Sequence, residues 1–258
     1  MRPFYQEPGV TIYCGDSRDI LPEIGTAADI IITSPPYNVG IKYAGEFDDK
    51  RPIVEFQHWT HEWLMGVFYA TAEQSRSYFF VGDKMAWWFK PMAEEVGFTY
   101  HQKLSWIKTN LAGAGNKISG DWNATTEDIL LFRKGKRTPM LRGESDMHTF
   151  NWFAYPSCQT NYSGNLKRVH PAQFPVEVIH RIIVRTPGGV ILDPFMGSGT
   201  CGIAARMMGR EFIGIEINET YCELAVSRIK RATKAVQNKI PELVESLDGQ
   251  PGLFEVKG

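Results

Sequence analysis

Two turns in the chain combine residues whose types and spacing could do chemistry. The first is Thr33-Ser34-Pro35-Pro36-Tyr37-Asn38, which follows an Ile-rich stretch that predicts a strand. Consecutive prolines have no N–H donors and leave stiff carbonyl acceptors. Ser34 adds a hydroxyl acceptor and Tyr37 an aromatic plate, so these parts fit an exocyclic amino group on a planar base. The alternative is a turn that ends a strand, with Tyr37 in the core.

The second turn lies near the other end of the chain. The run Asp193-Pro194-Phe195-Met196-Gly197-Ser198-Gly199-Thr200 separates an apolar stretch from a helical pattern. Gly197 and Gly199 would let the backbone approach a ligand closely, and Glu216 ends the next predicted strand, where it could accept hydrogen bonds from ribose hydroxyls. This arrangement favours a nucleotide cofactor, although a glycine-rich helix cap without a ligand shows the same spacing.

Charge separates the possible cofactors for this second turn. Asp193 comes just before the glycines, where a carboxylate would repel a pyrophosphate. S-adenosylmethionine carries a sulfonium and an ammonium and has no phosphate. The sequence therefore favours S-adenosylmethionine over NAD, although Gly197 to Gly202 also spells the dinucleotide pattern G-x-G-x-x-G.

Strand-like and helix-like segments alternate along most of the chain. This alternation predicts an α/β fold, a Rossmann-like doubly wound and mostly parallel sheet. Only 65 residues follow Asp193, so most strands must precede the cofactor turn, and the cofactor half comes last in a permuted order. Ligands in such sheets bind beyond the carboxyl ends of the strands. Both turns should therefore share one crevice.

Net charge is misleading for this chain unless it is divided by segment. The total is −1, but residues 1–100 sum to −6, residues 101–170 to +5 and residues 171–258 to 0. The middle segment is also aromatic, which favours a nucleic-acid partner.

Other classes are disfavoured by composition. Aromatic residues make up 12% of the chain, which argues against disorder. No apolar run approaches the roughly 20 residues of a membrane span, so no membrane partner is expected. The four cysteines lack the spacing of a structural zinc site, which predicts no metal and a reducing cytoplasm as the location.

The two turns together resemble the catalytic and cofactor motifs of DNA amino-methyltransferases, and their order resembles the beta class. The resemblance runs from about residue 11 to residue 231. It implies methyl transfer from S-adenosylmethionine to the amino group of a flipped base, with Ser34, Pro35, Pro36 and Tyr37 catalytic. A Ser before Pro-Pro-Tyr slightly favours cytosine-N4 over adenine-N6 as the methylated position, and adenine-N6 stays an open alternative.

The resemblance also assigns further residues. It implies that Asp16 binds the cofactor adenine and Glu216 the ribose, and that His170 flanks the cofactor; Phe174 stands where many members have Lys. Phe195, Ser198 and Thr200 belong to the cofactor motif. Seven basic residues of the middle segment are candidates for phosphate contact: Arg133, Lys134, Lys136, Arg137, Arg142, Lys167 and Arg168.

In domain terms, we expect one methyltransferase domain over 1–258, a candidate target-recognition insert at 109–170 and a loosely attached tail at 240–258. DNA is the expected partner, with a homodimer and a cognate restriction endonuclease as further candidates. The polar stretch around Asp48-Asp49 is expected to be a solvated loop. Alternatives from other classes are an RNA or protein-amide methyltransferase, an NAD-dependent oxidoreductase and a non-catalytic DNA-binding protein.

Overall fold

The computed structural model describes residues 1–26, 28–41, 49–109, 125–136, 138–141, 150–158 and 173–233. Their strands form a single sheet in the order β1-β2-β9-β8-β3-β4-β6-β5-β7. The strands are β1 (Tyr5–Glu7), β2 (Val10–Cys14), β3 (Ala28–Thr33), β4 (Thr71–Val81), β5 (Thr99–Lys108), β6 (Thr126–Arg133), β7 (Trp152–Tyr155), β8 (Val190–Asp193) and β9 (Glu211–Glu216).

Helices cover both faces of the sheet. They are α1 (Ser17–Ile24), α2 (Ile53–Ala70), α3 (Asp83–Val96), α4 (Val176–Arg185) and α5 (Thr200–Met207), and residues 219–233 are also helical. Alternate residues of the central strands enter different cores. Ile30 and Ile32 of β3 lie in the same buried cluster as α4 and α5, whereas Ile31 lies in the cluster with α1, α2 and α3.

The sheet is mostly parallel, as predicted. β2, β9, β8, β3 and β4 run in one direction, and β1 and β6 are antiparallel to their neighbours. β8 and β9, which come late in the chain, lie between β2 and β3. This position confirms the Rossmann-like α/β class and gives the late cofactor half a central place.

Two strands lie inside the range 109–170 that was expected to hold the insert. β6 pairs with both β4 and β5, and β7 pairs with β5 in parallel. β7 has no recognisable signal in the sequence, because its four residues alternate between exposed and buried with too few positions to show a period. The tail at 240–258 lies outside the described residues.

In the described part of the chain, no helix has the length and apolarity needed to cross a membrane.

Candidate active site

The two predicted turns meet at one edge of the sheet. β3 and β8 are parallel neighbours, so Thr33 and Asp193, their last residues, lie side by side. The Thr33 hydroxyl donates to Asp193 Oδ1 at 2.7 Å. A cleft of about 180 Å³ opens there, and Ser34 and Pro36 line it together with the cofactor turn. The expected common crevice is therefore present.

Asp193 is the most buried acid of this cleft, with 4% of its surface exposed. Its Oδ1 also accepts the backbone N–H of Phe195 at 3.1 Å. Burial raises the pKa of Asp193 to about 6, although the bonds from Cys201, Thr33 and Phe195 act in the opposite direction. The carboxyl group is thus poised to change its charge just below neutral pH.

The glycine turn is left-handed at both predicted glycines. Gly197 has φ +49° and lines the cleft, while its N–H donates to Glu216 Oε2 at 3.0 Å. Gly199 has φ +78° and faces inward, where an added Cβ would lie 2.8 Å from the Cβ of Ala225. Gly197 therefore serves the cleft, and Gly199 serves the packing of the helix at 219–233.

Glu216 closes the far side of the cofactor turn. Its Oε1 accepts the backbone N–H of Asn218 at 2.9 Å, so both carboxylate oxygens are held by the backbone. Burial raises its pKa, and the charge of Asp193 adds to the shift. The orientation of the carboxylate is fixed before any ligand arrives.

Aromatic packing holds the remaining wall of the cofactor turn. The ring of Phe195 lies 5.6 Å from that of Trp59 and 5.1 Å from that of Trp63, both on α2. Ser198 and Thr200, which are buried, also line the cleft. Of the cofactor residues expected from the sequence, those that line this side of the cleft are Asp193, Phe195, Gly197, Ser198, Thr200 and Glu216, and Gly199 lies behind them.

Asp16 lies across the cleft, where it caps α1 by accepting the Arg18 N–H at 2.9 Å. The Arg18 guanidinium pairs with Asp16 at 2.7 Å and with Glu62 at 2.7 Å. Burial by itself would raise the pKa of Asp16, but the bonds from Arg18 outweigh it and lower the pKa. Asp16 is therefore an ionised acceptor at the cleft.

The expectation of a solvated loop around residues 48 and 49 is wrong for Asp49. Asp49 is only 6% exposed, and its carboxylate accepts the backbone N–H groups of Val39, Gly40 and Ile41 at 3.2, 2.6 and 2.8 Å. It lines the cleft, as does Arg51. The sequence gives no periodic signal for this role, because the partners of Asp49 are backbone groups in a loop.

The lining of the cleft is acidic. Among the described residues it contains the carboxyl groups of Asp16, Asp49, Asp193 and Glu216 and one guanidinium, that of Arg51. Such a lining fits a cationic ligand and disfavours a pyrophosphate. This agrees with the charge argument made from Asp193 alone.

The proline turn is anchored at its aromatic residue. The Tyr37 hydroxyl lies 2.9 Å from Ser34 Oγ and donates to Glu127 Oε1 at 2.7 Å. Its ring packs against Gly82, where an added Cβ would lie 3.2 Å from Tyr37 Cδ2. Pro35 is buried between Ser34 and Pro36, which both line the cleft. Glu127 carries no motif in the sequence that predicts this contact, because its partner Tyr37 lies 90 residues earlier.

The described basic candidates lie away from the cleft. Arg133 is the last residue of β6 and lies about 20 Å from Glu127 near its start, and Lys134 and Lys136 follow it. Because β6 is antiparallel to β4, this end of β6 lies away from the cleft. Lys134 Nζ donates to the carbonyls of Phe68 and Thr71 at 2.9 and 2.7 Å. These three therefore do not join the site. Arg137, Arg142, Lys167, Arg168 and His170 lie outside the described residues.

The fold and the cleft define a class: a Rossmann-like methyltransferase in permuted order, with its proline turn and cofactor turn at one sheet edge. The model of the family N6_N4_Mtase, described as DNA methylase, matches residues 28–227. The chain belongs to this family of N6/N4 DNA methylases, as its motifs suggested. This membership decides against the oxidoreductase hypothesis.

Known proteins similar to the chain are of the same kind. The type II methyltransferase M.ScaI of Streptomyces caespitosus is 29% identical over 269 residues, which cover 91% of this chain and 86% of that protein. M.HpaI of Haemophilus parainfluenzae, also a type II methyltransferase, is 29% identical over 78% of this chain and 68% of its own length.

Solved structures agree with the fold. The M1.HpyAVI–SAM complex has a TM-score of 0.69 and 25% identity, covering 85% of this chain and 98% of that one. The cytosine-N4-specific PvuII DNA methyltransferase has a TM-score of 0.72 at 18% identity, covering 93% of this chain and 95% of that one. The latter likeness concerns the fold alone.

Proposed function

We propose that this protein methylates the N4 amino group of cytosine in DNA, with S-adenosylmethionine as the methyl donor. The observation that carries the proposal is the shared cleft. Ser34 and Pro36 of the proline turn line the same cavity as Asp193 and Glu216 of the cofactor turn. A methyl donor on one side and an amino group on the other could therefore come within reacting distance.

The cofactor side fits S-adenosylmethionine. Carboxylates that outnumber the single guanidinium suit its sulfonium and ammonium groups, whereas a phosphate would be repelled. Glu216 would accept the ribose hydroxyls and Asp16 the adenine amino group. The solved M1.HpyAVI complex contains the same cofactor. When bound, the cofactor supplies an electrophilic methyl group.

The proline turn would hold the target amino group. The lone pair of such a nitrogen is delocalised into its ring and is a poor nucleophile. Acceptance of its two N–H bonds by Ser34 Oγ and the Pro35 carbonyl would favour a pyramidal nitrogen and aim its lone pair at the methyl group. The base must leave the duplex to reach this cleft. The family resemblance implies that Tyr37 would stack on it, which would place the base beside the proline turn, since Tyr37 itself is not among the residues that line the cleft.

The choice of cytosine rests on Ser34. Members of the family with Ser before Pro-Pro-Tyr lean towards cytosine-N4, and members with Asp lean towards adenine-N6. A neutral hydroxyl at this position in the cleft is the feature of this chain that bears on the base. Adenine-N6 is the competing outcome of the test.

The test is to incubate the protein with sequence-diverse duplex DNA and S-adenosylmethionine, digest the DNA to nucleosides and identify products by mass spectrometry. N4-methylcytosine is the expected product. N6-methyladenine would overturn the choice of base, and the absence of both would overturn the proposed function. Ser34→Ala should lower the rate about 100-fold with little change in cofactor affinity, whereas Glu216→Gln should weaken cofactor binding first.

Further partners of this function are also proposals. We infer that the segment 109–170 contributes target recognition, that a second copy of the chain helps to grip DNA, and that a restriction endonuclease reads the same site. The support is the +5 charge of residues 101–170 and the small share of the chain outside the catalytic sheet. Sedimentation with and without target DNA would reveal the dimer, and a monomer in both conditions would contradict it.

A further inference from the structure

Four polar side chains form a continuous hydrogen-bonded series that leads away from the cleft. Ser34 Oγ lies 2.9 Å from the Tyr37 hydroxyl, which donates to Glu127 Oε1 at 2.7 Å. The other oxygen, Glu127 Oε2, pairs with Lys108 Nζ at 2.9 Å. Only Ser34 of these four lines the cleft. This hydrogen-bonded series therefore connects Ser34 Oγ in the cleft to an ion pair behind the proline turn.

The ion pair of Glu127 and Lys108 fixes the direction of each hydrogen bond in this series. A carboxylate paired with an ammonium group is a hydrogen-bond acceptor only. The single Tyr37 proton is thus donated to Glu127, and the Tyr37 oxygen is left to accept the Ser34 proton. Ser34 can then present only lone pairs to the cleft.

Strand direction explains how Glu127 reaches this place. Because β6 is antiparallel to β4, the start of β6 lies at the edge where the parallel strands end. Lys108 ends the neighbouring β5 at that same edge. The side chains of Glu127 and Lys108 are 12% and 23% exposed, so their attraction is only partly screened by water.

We propose that Glu127 is a positioning residue that sets the Ser34 hydroxyl as an acceptor for the target amino group. The inference rests on the proposed function, in which Ser34 receives an N–H of that amino group. A Ser34 hydroxyl turned the other way would place its proton against this N–H. Glu127, held by Lys108, excludes that orientation.

Glu127→Gln should reverse the direction of the hydrogen bonds that join residue 127, Tyr37 and Ser34 without moving these side chains. Lys108 would still require an oxygen, so the amide oxygen would face Lys108 and the amide N–H2 would face Tyr37. Tyr37 would then donate to Ser34, and Ser34 would donate into the cleft. We expect kcat to fall about ten- to hundredfold, with the cofactor Kd unchanged.

A double-mutant cycle with Tyr37→Phe tests the inference. This variant keeps the ring and removes the hydroxyl through which Glu127 acts, so Glu127→Gln should cost less than about threefold in that background. The exposed ion pair of Lys90 and Glu94, at 2.9 Å, provides the control variant Glu94→Gln, which should leave kcat unchanged. Equal losses from Glu127→Gln in both backgrounds would overturn the inference.

A rescue variant covers the case in which Glu127→Gln is inactive because it folds poorly. Lys108→Met removes the donor that competes for the amide oxygen, so the double variant Lys108→Met/Glu127→Gln should recover at least about half of the logarithmic loss. No recovery would contradict the inference. A wild-type protein that methylates neither base would instead refute the proposed function, and the positioning role would fall with it.

Discussion

At the scale of single residues, burial and hydrogen bonding set the pKa values of the carboxyl groups in this cleft. Asp193 and Glu216 are both held by backbone N–H groups, and burial raises the pKa of each. Asp16 shows the opposite behaviour, because Arg18 holds it in the charged form. One cleft thus contains carboxyl groups that take up protons over different pH ranges.

The pH dependence of cofactor binding follows from Asp193. Its pKa is raised to about 6, so acidification through pH 6 protonates it and removes a charge that attracts a cationic cofactor. We expect S-adenosylmethionine affinity, measured by calorimetry, to fall about tenfold between pH 7 and pH 5. Protonation of Glu216, whose pKa is also raised, should lower the cofactor affinity further as the pH falls.

Asp193→Asn is the matched control for that measurement. The amide oxygen can still accept the Thr33 hydroxyl, but it carries no charge to lose. The variant should bind the cofactor more weakly at pH 7 and should lose the component of the pH dependence centred near pH 6. Wild-type affinity that stays constant from pH 7.5 to pH 5.5 would refute the assignment.

At the scale of elements, the turn between β8 and α5 has two tasks that its glycines divide. Gly197 lines the cleft, whereas Gly199 lets the helix at 219–233 pack against the turn. The G-x-G spacing is therefore partly a packing requirement. Sequence alone could not separate the two tasks, because the packing partner Ala225 lies 26 residues further along the chain.

Gly199→Ala should destabilise the protein more than the same substitution at Gly209, another glycine with positive φ. Gly199 has φ +78° and an added Cβ would lie 2.8 Å from Ala225, whereas Gly209 has φ +63° and open space around it. We expect a loss of about 1 kcal/mol for Gly209→Ala and about 3 kcal/mol for Gly199→Ala in urea denaturation. Equal losses would show that packing at Ala225 is unimportant.

At the scale of the whole molecule, the sheet brings residues that are distant in sequence together at one edge. Strands distant in sequence end at one edge, which brings Asp16, Ser34, Asp193 and Glu216 around one cleft. The cleft lies where the strands end, beyond the two packed cores. A ligand bound there contacts several segments of the chain and should stabilise the folded state as a unit.

S-adenosylmethionine should therefore raise the melting temperature, and NAD should not. At about 100 times its Kd, a ligand adds about 2.7 kcal/mol to folding, which corresponds to about 5–10 °C for a chain of this size. The acidic lining should exclude NAD because of its pyrophosphate. A larger shift with NAD, measured by calorimetric scanning, would contradict the proposed cofactor.

Much of the site was predictable because local sequence encodes it. The prolines after β3 and the glycines after β8 mark turns at strand ends, and parallel strands place such turns at one edge. Asp193, Glu216 and Ser34 were found by that reasoning.

Only the tertiary structure decided the roles that depend on strand direction and distant packing. The antiparallel course of β6 brings Glu127 behind the proline turn and carries Arg133 and Lys134 to the opposite edge, which local composition does not record. Asp49 is likewise defined by the backbone groups it accepts. The sequence determined the fold class and the two motifs, because these rest on local periodicity and turn chemistry. The hydrogen-bond partners of Glu127 and Asp49 depend on contacts that exist only in the folded chain.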